Sequence, residues 1–411
     1  MQLYVSERHE PLSGATWNEG LARRAIEQIA ADAEREFTAD GLWQIHPSDR
    51  SPERPPDSMK PLYHGAAGVI WALHHLAENG AVTLKRDYLP AARELIERNR
   101  EDLRKYEGLR QYMGRENASY MLGETGLMLL HWKLAPSDEL ARQLHASIAS
   151  NLGDPRGLAW GAPGTMLAAL FMHQRTGESR WRELFLRHFD ALWNEWKFDD
   201  ELRCHLWTHD LYGVTEKRLG ALHGLASAAF PIIRGRHLLP PERSAESSRR
   251  IREALRVTAL HDADFVNWPN NVGSTTRPAP LPLFVQHCNG APGIINCVAE
   301  LPGDSRGDFD SLLLRAGELI WHAGPLVKFP SLCHGAPGSG YAFLKMYART
   351  ADGVWLDRAR RFAMHAIDQC DRALAKFGQR KYSLWTGDLG LAVYLWDCIR
   401  GTARLPTMDV F

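Results

Sequence analysis

Two stretches, Gln286-His-Cys-Asn-Gly-Ala-Pro-Gly293 and Ser331-Leu-Cys-His-Gly-Ala-Pro-Gly338, share one layout. A cysteine stands ahead of a Gly-Ala-Pro-Gly turn, and an apolar helical run follows at once. Packing alone does not call for a thiol in a glycine-rich turn, so Cys288 and Cys333 ask for another reason. Together with His334 they make a donor set suited to zinc. Three protein ligands leave a fourth position open, the arrangement of catalytic rather than structural zinc.

The turns belong to a series. Gly-x-x-Gly followed by an apolar helix occurs at Gly65/Gly68, Gly123/Gly126, Gly161/Gly164, Gly290/Gly293, Gly335/Gly338 and Gly387/Gly390, with a degraded copy at His223-Gly-Leu-Ala-Ser227. Copies fall roughly 40 to 65 residues apart, and an amphipathic helix stands between neighbours. Self-similarity of this kind marks a repeat architecture in which each unit buries its apolar face against the next. Helices after the glycines are apolar nearly all round and should be enclosed by protein. The intervening ones are one-sided and should face solvent. Examples are residues 87–106, with Tyr88, Ala92, Leu95, Ile96 and Leu103 on one face, and the run Trp355, Ala359, Phe362, Ala366, Cys370. A first helix is expected over 13–37. Seven inner and seven outer helices can close into a ring, so the fold expected is an all-α, α/α toroid in one domain over 1–411, its repeats spanning about 63–398. The alternative is an open solenoid. A short hairpin near Leu202-Arg-Cys-His-Leu-Trp is the only strand pattern expected, and the proline-rich stretch from Ile45 to Pro56 reads as loop.

Composition narrows the function. Lys plus Arg equals Asp plus Glu at 49 each, which offers no basic surface for nucleic acid or acidic membranes. No apolar run approaches the roughly 18 residues that cross a bilayer. The N-terminus lacks a basic-then-apolar secretory layout, so a cytoplasmic location is expected. Six cysteines in 411 residues do not make a disulfide framework. Cys204, Cys297, Cys370 and Cys398 sit in or beside hydrophobic runs and read as packing residues.

The six Gly-x-x-Gly turns, the degraded seventh, Cys-x-Gly-x-Pro-Gly, the later Cys-His-Gly and the closing Ser383-Leu-Trp-Thr-Gly-Asp-Leu-Gly390 together resemble the lanthionine synthetase C-like (LanC-like) family. The resemblance runs from about Tyr63 to Cys398. It implies an α/α toroid with one zinc held by Cys288, Cys333 and His334 at the mouth of the barrel. It also implies a zinc-activated thiolate, from a peptide cysteine or glutathione, added to a dehydrated serine or threonine or a similar electrophile. A dehydratase or precursor peptide is then a possible partner. His223 matches the family's proton-handling histidine. Four positions depart from the cyclases: Phe284 stands in place of an arginine, Gly157 in place of an aspartate (with Asp154 close by), His287 in place of a tryptophan, and Asn289 in place of a tyrosine or histidine. These departures bear on lantibiotic cyclisation more than on the metal.

Two thiolates and one imidazole neutralise zinc's charge, and zinc lowers the pKa of a bound thiol. Conjugate addition leaves a carbanion or enolate that must be protonated, a step a histidine of near-neutral pKa can serve. His223 is the candidate and His287 the reserve, though His287 could equally be an exposed rim residue or one that stands behind the ligands. Tyr63, His64 and Tyr212 lie beside repeat glycines; core packing is the expected role of the two tyrosines. Asp388 is expected to cap the last inner helix. Two other readings stay open. One is a toroid glycosidase, for which the turns offer only Glu124 and Asp388 and no convincing carboxylate pair. The other is a non-catalytic zinc module that binds a peptide or glutathione. The 14 tryptophans would suit a sugar platform, but Trp71, Trp132 and Trp355 fall at helical core spacing.

Overall fold

The computed structural model describes residues 2–50, 58–106, 117–211, 213–276, 279, 281–305 and 307–411. Among them, seven inner helices run over Ala66–Glu78, Glu124–Leu134, Ala162–Thr176, Leu225–Arg234, Ala291–Val298, Ala336–Thr350 and Asp388–Arg400. Seven outer helices run over Glu19–Glu36, Leu89–Lys105, Asp138–Ser150, Ser179–Glu195, Pro241–Thr258, Asp308–Ala323 and Gly353–Phe377. Each inner helix packs on the next, and the last packs on the first. The outer helix Glu19–Glu36 covers that final junction by packing against Asp388–Arg400. The ring is closed, which removes the open solenoid.

The two layers follow from their sequences. Ala162–Thr176 buries every residue from Ala162 to Met172, as an enclosed helix must. Its glycine N-cap and the proline in its first turn, repeated at Pro292 and Pro337, start it without a side-chain cap. Outer helices bury one stripe, such as Trp355, Ala359, Phe362, Ala366 and Cys370, and several begin at a capping side chain: Asn18, Ser137 or Asp352.

The second glycine of each pair explains the crowding at the centre. At Gly68, Gly126, Gly164, Gly293, Gly338 and Gly390 an added Cβ would overlap the carbonyl oxygen six residues earlier. It would also press on a neighbouring repeat's side chain, for example Leu384 on Gly68, His287 on Gly338 and Leu332 on Gly390. In the degraded copy Ser227 takes this place, and its hydroxyl accepts the Leu158 amide at 2.6 Å. The turns are then laced edge to edge by backbone hydrogen bonds of 2.9–3.4 Å. Ala159 donates to Leu222, Ala221 to Cys288, Cys288 to Cys333, Cys333 to Trp385, Trp385 to Tyr63, and Tyr63 to Met121. This belt of turns is the mouth of the ring. It places Cys288 and Cys333 side by side although 45 residues separate them in sequence.

Strand content exceeds the expectation. The hairpin near Leu202 exists, as Lys197–Asp199 against Cys204–Leu206. His209–Leu211, Val214–Arg218 and Asn271–Val272 also form an antiparallel sheet, and Leu260–Asp262 pairs with Phe265–Asn267. Strands of two to five residues carry too little alternation to be read from sequence. The first helix begins at Glu19, behind its Asn18 cap, six residues later than expected. Residues 51–57 and Tyr212 lie outside the described residues. No helix among the described residues is long and apolar enough to cross a membrane.

The far end of the ring is filled by the chain itself. Leu405, Met408 and Phe411 are buried there, and Phe411 packs near Trp71, Tyr120 and Phe171. Arg175 and Arg234, in the last turns of two inner helices, bind the carbonyls of Phe411 and Asp409.

Candidate metal centre

The belt delivers three ligand atoms to one place. The sulfurs of Cys288 and Cys333 and an imidazole nitrogen of His334 all lie within 4.8 Å of one another. Both cysteines are buried, and His334 is half-buried on the wall of a cavity of about 370 Å³. The Cys333 sulfur stands 3.4 Å from His334 Nε2. Tetrahedral zinc, with typical bonds to sulfur and nitrogen, sets two such ligands about 3.5 Å apart. Soft donors, burial and this spacing all fit zinc.

Hydrogen-bond donors surround the sulfurs. Gln286 Nε2 donates to Cys288 at 2.9 Å, and Asn289 Nδ2 approaches the same sulfur at 3.5 Å. Tyr63 hydrogen-bonds to Cys333 through its side chain. The Cys288 thiol is held well below the ordinary thiol range, by its hydrogen bond from Cys333 first and then by His334. Cys333 moves the opposite way, through burial and its anionic neighbour. The two thiols are thus pulled in opposite directions, as expected where two acids share a site. The other four cysteines are buried; burial pushes Cys204 up to about 11 and Cys297, Cys370 and Cys398 higher still. They are packing residues.

His223 lies close enough to Cys288 to feel its charge, and its ring faces Trp160 with centroids 5.8 Å apart. Burial and then Arg218 pull it down to about 4, so it is neutral at pH 7. That differs from the near-neutral pKa expected from sequence, and the cause is enclosure by the belt. His287 is not on an exposed rim: it is fully buried. It stands six residues before Gly293, the position held in other turns by Leu62, Tyr120, Leu158, Ala221, Leu332 and Leu384. Its Nδ1 accepts from Asn296 Nδ2 at 3.0 Å, and that nitrogen also donates to the Gly338 carbonyl at 2.9 Å. Burial lowers His287 to about 4. His287 thus sits behind the ligands.

The remaining candidates resolve as follows. Gly157 has φ +91°, and a Cβ there would strike Ser227 Oγ and the Leu222 carbonyl, so no carboxylate can replace it. Asp154 accepts the Arg156 amide and pairs with its guanidinium at 2.7 Å. Glu124 is clamped by Arg100 through two bonds of 2.7 Å. Asp388 is no cap: Gly387 holds that place, and the carboxylate accepts the Lys381 amide at 3.3 Å with Arg380 at 3.9 Å. Tyr63 is more than packing, because it lines the cavity with His64, Lys328, Ser331, His334 and Thr386. Sequence reasoning passed over Gln286 and Lys328; a polar side chain two residues before a ligand cysteine was the available signal for the first.

A closed α/α toroid with a two-thiol, one-imidazole centre in its belt of turns is the class that fold and site define. The model of the family "Lanthionine synthetase C-like protein" matches residues 56–410, and the chain belongs to that family. It is 25% identical over 282 residues to glutathione S-transferase LANCL1 of Danio rerio, the match covering 65% of each chain. It is 28% identical over 249 residues to the LanC-like protein GCL1 of Arabidopsis thaliana, covering 58% of this chain and 54% of that one. The matches thus span under two thirds of either relative's length. Among solved structures, nisin cyclase superposes with a TM-score of 0.56 over 92% of this chain and 94% of its own. At 15% identity that likeness speaks to the fold.

Proposed function

We propose that this protein binds one zinc through Cys288, Cys333 and His334. At that centre it adds a thiol, from a peptide cysteine or glutathione, across the double bond of a dehydroamino acid or similar electrophile. The observation that carries the reading is the convergence of three ligand atoms within 4.8 Å, from turns far apart in sequence, beside a cavity of about 370 Å³. Zinc bound there would supply the Lewis acidity that keeps a substrate thiol deprotonated near neutral pH.

The chain's own groups do the rest. The cavity walls, with Tyr63, Lys328 and Thr386, hold thiol and electrophile near His334. Sulfur bonds to the β-carbon, the π bond breaks, and its electron pair passes to the α-carbon, which takes up a proton. His223, neutral beside Cys288, accepts the thiol proton and returns it to that carbon. His287 lies behind the ligands, and Asn296, bonded both to it and to the Gly338 carbonyl, fixes its ring there. An enzyme that dehydrates serine or threonine would supply such an electrophile, and a modified precursor peptide would present it. Six free cysteines accord with a reducing compartment, and we place the protein in the cytoplasm.

Metal analysis is the test. About one zinc per chain is expected for the native protein and none for Cys333→Ala; an unchanged zinc content in the variant would sink the reading. The closed position at Gly157 favours a second reading, a zinc module that binds the thiol without turnover. Incubation with glutathione and a dehydroalanine peptide, followed by mass spectrometry, separates the two: a thioether adduct marks the enzyme, and calorimetric binding without adduct marks the module.

A further inference from the structure

The segment before the first outer helix reaches the metal centre. The Arg8 carbonyl accepts the Val327 amide at 3.0 Å, and Glu10 donates to the Pro325 carbonyl at 2.9 Å. Residues 325–327 lead into the Cys333 turn. The Arg8 guanidinium meanwhile lies over the Phe284 ring, 4.5 Å from its centroid, and donates to Gln286 Oε1 at 3.0 Å. Gln286 is buried, and its Nε2 is the group that donates to the Cys288 sulfur at 2.9 Å. One residue therefore touches the approaches to both cysteine turns, from a part of the chain ahead of residues 56–410, which the family model covers.

We propose that Arg8, acting through Gln286, is a positioning residue for the metal centre: it fixes the Gln286 amide so that nitrogen, not oxygen, faces the Cys288 sulfur. The physical argument concerns the two faces of a primary amide. Oxygen and nitrogen have nearly the same size, so the pocket's shape alone does not choose between them. A guanidinium has only donors, so with Arg8 in place the oxygen must turn toward it and the nitrogen toward sulfur. Without Arg8 the amide is free to turn over, and a lone pair would then face an electron-rich sulfur. Groups that hydrogen-bond to metal ligands in this way set their orientation and charge. The Gln286 backbone is held separately, by amide–carbonyl bonds with Asn289 of 3.1 and 3.2 Å, so side-chain variants leave the turn intact.

The inference rests on the zinc reading, and the test keeps the two apart. Zinc affinity of the full chain is measured by competition with a chromogenic chelator, with the thiolate charge-transfer absorption of the cobalt(II)-loaded protein as a second readout. Gln286→Glu keeps the bond to Arg8 but turns oxygen to sulfur; it should bind zinc about 10–100-fold more weakly. Gln286→Leu and Arg8→Met should each lose about tenfold, and both should move the cobalt band in the same direction. Arg8→Lys should recover most of the loss. The double variant Arg8→Met/Gln286→Leu should bind no more weakly than Gln286→Leu alone, because both act along one chain of contacts. Should Arg8→Met fail to fold, Gln286→Leu and Gln286→Glu carry the test. Native affinity and an unmoved band in those variants would overturn the relay and leave the zinc reading standing. A native chain that takes up no zinc or cobalt would overturn both.

Discussion

At the mouth of the ring, buried polar atoms stand without protein partners: His287 Nε2, Asn296 Oδ1 and His223 Nδ1. At the far end, the buried charged groups around Lys345 are paired, although Trp71 Nε1 is not. Lys345, 3% exposed, donates to Glu300 at 3.0 Å and to Asp409 at 2.8 Å. Asp409 in turn accepts the Leu405 amide at 2.8 Å, and its carbonyl accepts from Arg234 at 3.2 Å. An unpaired buried polar atom costs about 1–3 kcal/mol. Each such atom asks for an explanation, and beside the cysteine turns the candidate metal centre supplies one. The contrast assigns stability to the far end and chemistry to the mouth.

Substitutions can break that contrast, and the strongest is at the far end. Lys345→Met takes the close cation from buried Asp409, leaving Arg234 at 3.9 Å, and should cost about 3 kcal/mol in urea unfolding, while the folded fraction keeps its zinc. Loss of zinc at native stability would reverse the assignment. At the mouth, Gly338→Ala drives a Cβ onto the Leu332 carbonyl and toward His287. It should cost about 3 kcal/mol and take zinc with it, since the Cys333 turn must move.

A third test uses pH. Asp397, bonded to Tyr341 at 2.7 Å and Thr402 at 2.6 Å, is pushed up to about 7 by burial. Unfolded, it titrates near 4, so the folded chain holds the extra proton in between. Stability from this group is present at acid pH and falls as pH rises from about 4 through 7. Asp397→Asn should abolish that slope, gaining about 2 kcal/mol on the native protein between pH 5 and pH 8 in paired unfolding curves. Parallel curves would mean the carboxyl is ionised throughout.

The smallest effect sharpens the comparison most. His287→Leu restores the residue that four other turns use and removes one unpaired nitrogen. Thermal and urea unfolding should show stability unchanged or higher by about 1 kcal/mol, with thiol addition reduced. A clear loss of stability would make His287 a structural residue.

Much of this was legible from residues. The glycine pairs announced the ring, because a carbonyl packs where a Cβ would stand. Cys288, Cys333 and His334 were legible because thiols in glycine turns have no packing reason. The stripe from Trp355 to Cys370 was legible from helical spacing. Less legible were Tyr63 and Trp385, whose backbones link neighbouring turns, and the short strands between Leu206 and Val272. The burial of His287 escaped because its sequence neighbours are turn residues, and only ring closure lays it over Gly338.

By itself the sequence determined the number of repeats, which helix faces go inward and which three side chains could hold a metal, since each follows from local spacing and side-chain chemistry. Tertiary structure alone decided that the ring closes, that His223 and His287 are neutral, and that Arg8 reaches the Cys288 turn. Those facts depend on which distant segments share a boundary and how much water is left between them, and neither is written in the order of neighbouring residues.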